Sequence, residues 1–251
     1  MSSSNDIESL ADVQRLLLPD DPQIAGLTYA IHYQPAEVAA GDYYDLMTLN
    51  FDDDLQPGRD VWGVMVGDVS GHGAAAAMEA VQFDAILRTY QGDEPPGGPA
   101  GALTYANRYF FSRRPRRHYM TVFAAMFRPQ RGTLDYVSAG HPPALLLSGG
   151  RIRRLGDDGD IPLGIERDHR YTHSTIEFAA GDVLVIYTDG VNEARNREGE
   201  PFGFERIERI LLSAPTDATA VLDALRRALV EHQSAAIGHD DQTILVLAQV
   251  G

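Results

Sequence analysis

Cysteine is absent from this chain of 251 residues. Disulfides, thiolate-bound zinc and a cysteine nucleophile are therefore excluded, and any metal must be held by oxygen or imidazole. No apolar run approaches the roughly 20 residues needed to cross a bilayer, and the opening MSSSNDIESL lacks the basic-then-apolar layout of a signal peptide. The expectation is a cytoplasmic protein without a membrane partner. Basic residues are few: 21 Lys and Arg against 36 Asp and Glu leave a formal charge of −15. That balance argues against nucleic acid, whose phosphates require a basic surface, and is compatible with a phosphoprotein bound locally.

What is present suits a globular protein, with 44% hydrophobic residues. Residues 8–18 carry apolar side chains at helical spacing and stop at Pro19, which predicts a short amphipathic helix. LTYAIHYQPA, DYYDLMTL and VWGVMVGD then read as strands, the first three being expected to lie side by side. Helices are expected over 74–90 and from 100 to about 112. The runs YMTVFAAMF, GTLDYVSA, PALLLS, RIRRL and DVLVIYTDG read as further strands. Helices near 204–212 and 218–233 precede a last strand, QTILVLAQV. Runs of strands separated by paired helices indicate an α+β fold, a four-layer α-β-β-α sandwich of two mainly antiparallel sheets flanked by helix pairs. Residues 1–20 read as an N-terminal helix and linker, and 21–251 as one domain.

Four acidic sites are oddly placed. Asp42 opens the second strand, Asp68 closes the third, Asp189 closes DVLVIYTDG, and Asp240 with Asp241 opens the last. Gly41, Gly67 and Gly190 adjoin three of them and allow close approach of backbone or ion. One such Asp alone reads as a turn former or helix cap. Four together, two of them behind buried strands, read as a carboxylate cluster that needs a divalent cation or protonation. A hard oxygen shell without cysteine points to Mg²⁺ or Mn²⁺. Asp45 is a weaker candidate, since it lies an odd number of positions along the strand from Asp42 and should face the other way. The glycine-rich VGDVSGHG is neither a P-loop nor a dinucleotide fingerprint, and Asp68 stands where a nucleophile elbow would need glycine.

In order along the chain, ADVQRLLLP, AGDYYDL, VGDVSGHG, SAGHPPALLL, IPLG, YTDGVNEARN and HDDQTILVL resemble the PPM-type serine/threonine phosphatases. They are most similar to the bacterial branch typified by the stage II sporulation phosphatase and the stress-response sigma-factor regulators. The resemblance spans about Ala11 to Leu247. It implies an α-β-β-α sandwich with two Mn²⁺ or Mg²⁺ ions in a cleft at one edge, about 4 Å apart and sharing an activated water. Asp68 would bridge both ions, the Val69 carbonyl would help to hold one, and Asp42, Asp189 and Asp240 would complete the set, with Asp241 as the fallback for Asp240. The implied substrate is a phosphorylated anti-anti-sigma-type regulator. Two rival readings share the fold: a catalytically silent phosphoprotein-binding module, and a two-metal phosphoesterase of small molecules.

The chain departs from the eukaryotic branch of these enzymes. Ser70 replaces a histidine that is a candidate acid for the leaving alkoxide, and residues 23–41 lack a phosphate-gripping arginine. His72, two positions further on, is the alternative catalytic acid, and equally a loop-packing residue. His141 reads as part of a rigid turn. The basic run from Arg113 to His118 reads as a solvated loop or a dock for an acidic substrate. The N-terminal helix is open to two readings, a core helix or a surface for a partner or a second copy of the chain, giving a homodimer.

Overall fold

A computed structural model describes residues 2–19, 22–49, 61–91, 97–110, 118–233 and 240–250, with side chains from residue 9 onward. The strands are β1 (Leu27–Gln34), β2 (Asp42–Thr48), β3 (Trp62–Val69), β4 (Met120–Arg128), β5 (Thr133–Ala139), β6 (Ala144–Ser148), β7 (Arg151–Leu155), β8 (Ser174–Glu177), β9 (Val183–Tyr187) and β10 (Gln242–Gln249). The helices are α1 (Ser2–Leu17), α2 (Ala74–Leu87), α3 (Gly98–Phe110), the single turn α4 (Asp189–Asn192), α5 (Phe204–Ser213) and α6 (Ala218–Gln233).

The strands form two five-stranded antiparallel sheets, ordered β1-β10-β9-β6-β7 and β2-β3-β4-β5-β8. Apolar residues of both inner faces, among them Trp62, Val66, Phe123, Leu146, Ile186 and Leu245, make a common core between the sheets. The alternation along each strand sends its other apolar set outward. Tyr43, Met65, Val122 and Ala124 thus meet Phe83, Leu103 and Phe110 of α2 and α3. Leu145, Val185 and Val246 meet Ile207, Leu211, Val221 and Leu225 of α5 and α6. The expected α-β-β-α sandwich is the observed fold. The alanine-rich opening of α2 favours helix and lets neighbours approach closely, so that Ala77 packs on Ala11 of α1 and on Ala39.

Only β2 and β3 of the first three strands are neighbours. β1 pairs instead with β10, Leu27 opposite Gln249 and Gln34 opposite Gln242. Residues 35–41 carry the chain from one sheet to the other. The Asp241 carboxylate accepts the N–H groups of Ala36 and Gly41 there, at 2.7 and 2.6 Å, replacing the partners that a hairpin would have supplied. β8 and the single turn α4 were not foreseen, β8 because it has only Ile176 facing inward. The acidic loop FDDDLQPGRD and residues 113–117 of the basic run lie outside the described residues. No described helix is long and apolar enough to cross a membrane.

Candidate metal centre

The odd aspartates come together where strand ends of the two sheets meet. Asp42 and Asp68 stand directly opposite each other on β2 and β3. Asp189 follows β9, and Asp240 and Asp241 precede β10, the strand that pairs with β9. Gly190 makes this approach feasible: a Cβ there would lie 2.0 Å from the Asp241 carbonyl oxygen.

Asp42 is buried, and one of its oxygens is fully committed. Oδ2 accepts the hydroxyls of Thr188 at 2.8 Å and of Thr243 at 2.6 Å, both from the opposite sheet. Thr188 and Thr243 are themselves joined, each N–H being satisfied within the pair. Oδ1 is buried without a hydrogen-bond partner. An orphaned carboxylate oxygen in such a place costs free energy unless a cation or a proton meets it.

The electrostatics point the same way. Burial, then the carboxylates of Asp42, Asp189, Asp240 and Asp241, push Asp68 up to about 10. Burial, then Asp240 and Glu193, push Asp189 up to about 6. Burial raises Asp42 well above the usual carboxylate range, with the threonine hydroxyls opposing it and Asp241 and Asp189 adding to it. Such a set stores repulsion that positive charge relieves.

The two adjacent aspartates have different surroundings. Asp241 is buried, with both oxygens on main-chain N–H groups of the 35–41 crossing. Asp240 is exposed, and its carboxylate accepts the Asp241 N–H at 2.9 Å. Asp45 lies away from the cleft, near Arg88, whose guanidinium forks onto Asp84 and stands 3.3 Å from Asp45. Among the described residues, no three imidazole or carboxylate side chains are arranged to hold an ion as they stand. The oxygen-only donors and the orphaned Asp42 Oδ1 fit a hard divalent cation.

His72 is exposed, its Nδ1 2.8 Å from Glu37 Oε1. His141 is buried; its Nδ1 lies 3.0 Å from the hydroxyl of Thr121, which stands opposite Asp68 on β4. Burial pushes this imidazole down to about 3, so it adds no positive charge to the cleft near neutral pH. Three residues that the sequence reading did not single out shape the site: Thr188, Thr243 and Gln14. The Gln14 amide of α1 grips Ala40, donating to its carbonyl at 2.6 Å and accepting its N–H at 3.1 Å. His118, read as the end of a basic run, holds the Ser70 carbonyl with Nδ1 at 2.6 Å. Threonine in a strand and glutamine in an amphipathic helix carry no signal of such roles.

Residues 58–249 match the model of the family described as Stage II sporulation protein E (SpoIIE). The chain belongs to this family. SpoIIE is the branch of the PPM-type phosphatases that its ordered motifs resemble. Phosphoserine phosphatase RsbU of Bacillus subtilis (strain 168) is 28% identical over 251 residues, covering 97% of this chain and 70% of RsbU. Protein IcfG of Synechocystis is 26% identical over 269 residues, covering 96% of this chain; the chain spans only 41% of IcfG. Among solved structures, the SiaA-PP2C domain of Pseudomonas aeruginosa superposes with a TM-score of 0.78 at 21% identity, covering 98% of this chain and 97% of that one. The fold of that PP2C domain therefore extends over nearly all of the chain.

Proposed function

We propose that the chain is a metal-dependent protein serine/threonine phosphatase that removes phosphate from a phosphoserine or phosphothreonine of an anti-anti-sigma-type regulator. The observation that carries the reading is the orphaned, buried Oδ1 of Asp42, set among Asp68, Asp189 and Asp240. The name phosphoserine phosphatase borne by RsbU supports the reaction class.

Asp68, the Val69 carbonyl, Asp42, Asp189 and Asp240 would hold two Mn²⁺ or Mg²⁺ ions. Bound there, the cations supply a water acidified toward neutral pH and neutralise charge on the phosphate. The chain's own contribution is orientation. Thr188 and Thr243 hold Asp42 Oδ2 and leave Oδ1 for the cation. Thr121 and neutral His141 brace the strand opposite Asp68 without competing charge. Phosphate passes to water without a phosphoenzyme, so neither Ser70 nor a cysteine need act as nucleophile. His72 is the candidate donor of a proton to the departing side-chain oxygen.

The decisive assay is Mn²⁺-dependent phosphate release from a phosphoserine protein and from p-nitrophenyl phosphate, by wild type and Asp68→Asn. Wild type should act on both and the variant on neither. No release by wild type would leave a silent phosphoprotein-binding module. Activity confined to small phosphoesters would leave the small-molecule enzyme.

A further inference from the structure

Val69 lies at the end of the β2–β3 ladder, one step beyond the Asp42–Asp68 pair. It stands opposite Gly41, and its N–H donates to the Gly41 carbonyl at 3.3 Å. A hydrogen-bonded antiparallel pair ordinarily exchanges both bonds, so the Gly41 N–H should return to the Val69 carbonyl. It goes instead to Asp241 Oδ2, at 2.6 Å. Gly41 also keeps the space clear, since a Cβ there would lie 3.0 Å from the Val69 oxygen.

Among the described residues, the other side of the strand offers no substitute donor. Met120, opposite Val69 on β4, donates its N–H to the Leu163 carbonyl at 3.0 Å. The direction of the Val69 carbonyl is fixed as well. Ser70 N–H belongs to the same planar peptide unit and donates to the Tyr119 carbonyl at 2.9 Å. Tyr119 N–H in turn donates to Ser70 Oγ at 3.0 Å, and His118 holds the Ser70 carbonyl. Residue 69 is fully buried, and a buried carbonyl deprived of its ladder donor requires another partner.

We propose that Asp241 is a positioning residue: by drawing off the Gly41 N–H it keeps the Val69 carbonyl free to take a divalent cation. The assignment rests on the metal-dependent phosphatase reading and adds to it a role for the second aspartate of HDDQT. It also explains why two adjacent aspartates are present, Asp240 facing the cleft's solvent and Asp241 bound to main chain. Asparagine cannot replace Asp241, because it has one acceptor atom for two N–H groups. In Asp241→Asn the Gly41 N–H is released and closes on Val69.

The test combines calorimetric Mn²⁺ titration of wild type and Asp241→Asn with a crystal structure of the Mn²⁺-loaded wild type. The variant should bind Mn²⁺ at least about tenfold more weakly, the usual effect of losing a residue that orients a ligand. In the loaded wild type, the Val69 oxygen should contact a cation while both Asp241 oxygens stay on Ala36 and Gly41. An Asp241 oxygen on the metal, or wild-type Mn²⁺ affinity in the variant, overturns the assignment alone. Wild type that binds no Mn²⁺ and hydrolyses neither substrate overturns the phosphatase reading with it. Should the variant not fold, the loaded wild-type structure still decides.

Discussion

Thr243 Oγ donates to Asp42 Oδ2 at 2.6 Å, joining the last strand of one sheet to the first residue of a strand in the other. Thr188 repeats the contact from β9's end at 2.8 Å. Thr243→Val keeps the shape and removes the hydroxyl. It should weaken Mn²⁺ binding by about 10- to 100-fold, as loss of an orienting partner commonly does, with little change in the far-ultraviolet spectrum. Calorimetric titration checks this, and unchanged affinity would show that Asp42 is oriented without the hydroxyl.

Gln14 tests the N-terminal helix. Its amide satisfies both main-chain groups of Ala40 in a buried place. Gln14→Ala leaves a donor and an acceptor unmet, at about 1–3 kcal/mol each. Urea unfolding should give a lower midpoint with the same slope.

Gly190→Ala meets a main-chain oxygen 2.0 Å from the new Cβ, and a carbonyl cannot swing aside as a side chain can. Overpacking of this kind costs at least about 1–3 kcal/mol. The variant should melt several degrees lower and lose Mn²⁺-induced stabilisation, both readable by differential scanning fluorimetry.

The acidic cleft predicts a pH dependence of the metal-free protein. Asp189 is raised to about 6 from an ordinary value near 4, so between those values the folded state holds more proton than the unfolded one. This contribution to stability is therefore fully present below about pH 4 and is lost as the pH rises through about 6. Asp189→Asn should flatten that decline in thermal unfolding profiles. Mn²⁺ should bind with proton release and stabilise more strongly at pH 8 than at pH 5.

His72→Ala separates two roles. An exposed pair with Glu37 contributes at most about 1 kcal/mol, whereas a proton donor to the leaving oxygen contributes 10²- to 10⁴-fold in rate, by the usual order of magnitude. As the proposed proton donor, His72 should cost about 100-fold or more in kcat with KM unchanged when replaced; a fall of only a few-fold would leave it as a packing partner of Glu37.

The aspartates were legible because they interrupt a pattern: Asp68 and Asp189 each set a carboxylate next to glycine at the end of an apolar run, where it has no packing purpose. The layers were legible for a similar reason, since paired helices alternate with runs of strands. What escaped notice had no such contrast. Thr188 and Thr243 are the kind of residue that strands favour in any case. The β1–β10 pairing joins the two ends of the chain, and no local signal reports a contact over that separation. Asp240 and Asp241 could not be assigned different tasks until their surroundings were known. The acceptor roles of Asp241 depend on Ala36 and Gly41, some 200 residues earlier.

The crossing of residues 35–41 gives the cleft a mechanical character. Asp42 belongs to one sheet, while the hydroxyls that hold it and the carboxylate that ties down its approach belong to the other. The cleft therefore acts as a gauge of how the two sheets are aligned. A small slide between the inner faces, set by core side chains such as Phe123 and Leu245, would lengthen these contacts together. Repacking that interior with larger or smaller apolar residues offers a way to tune the cleft without touching a polar atom.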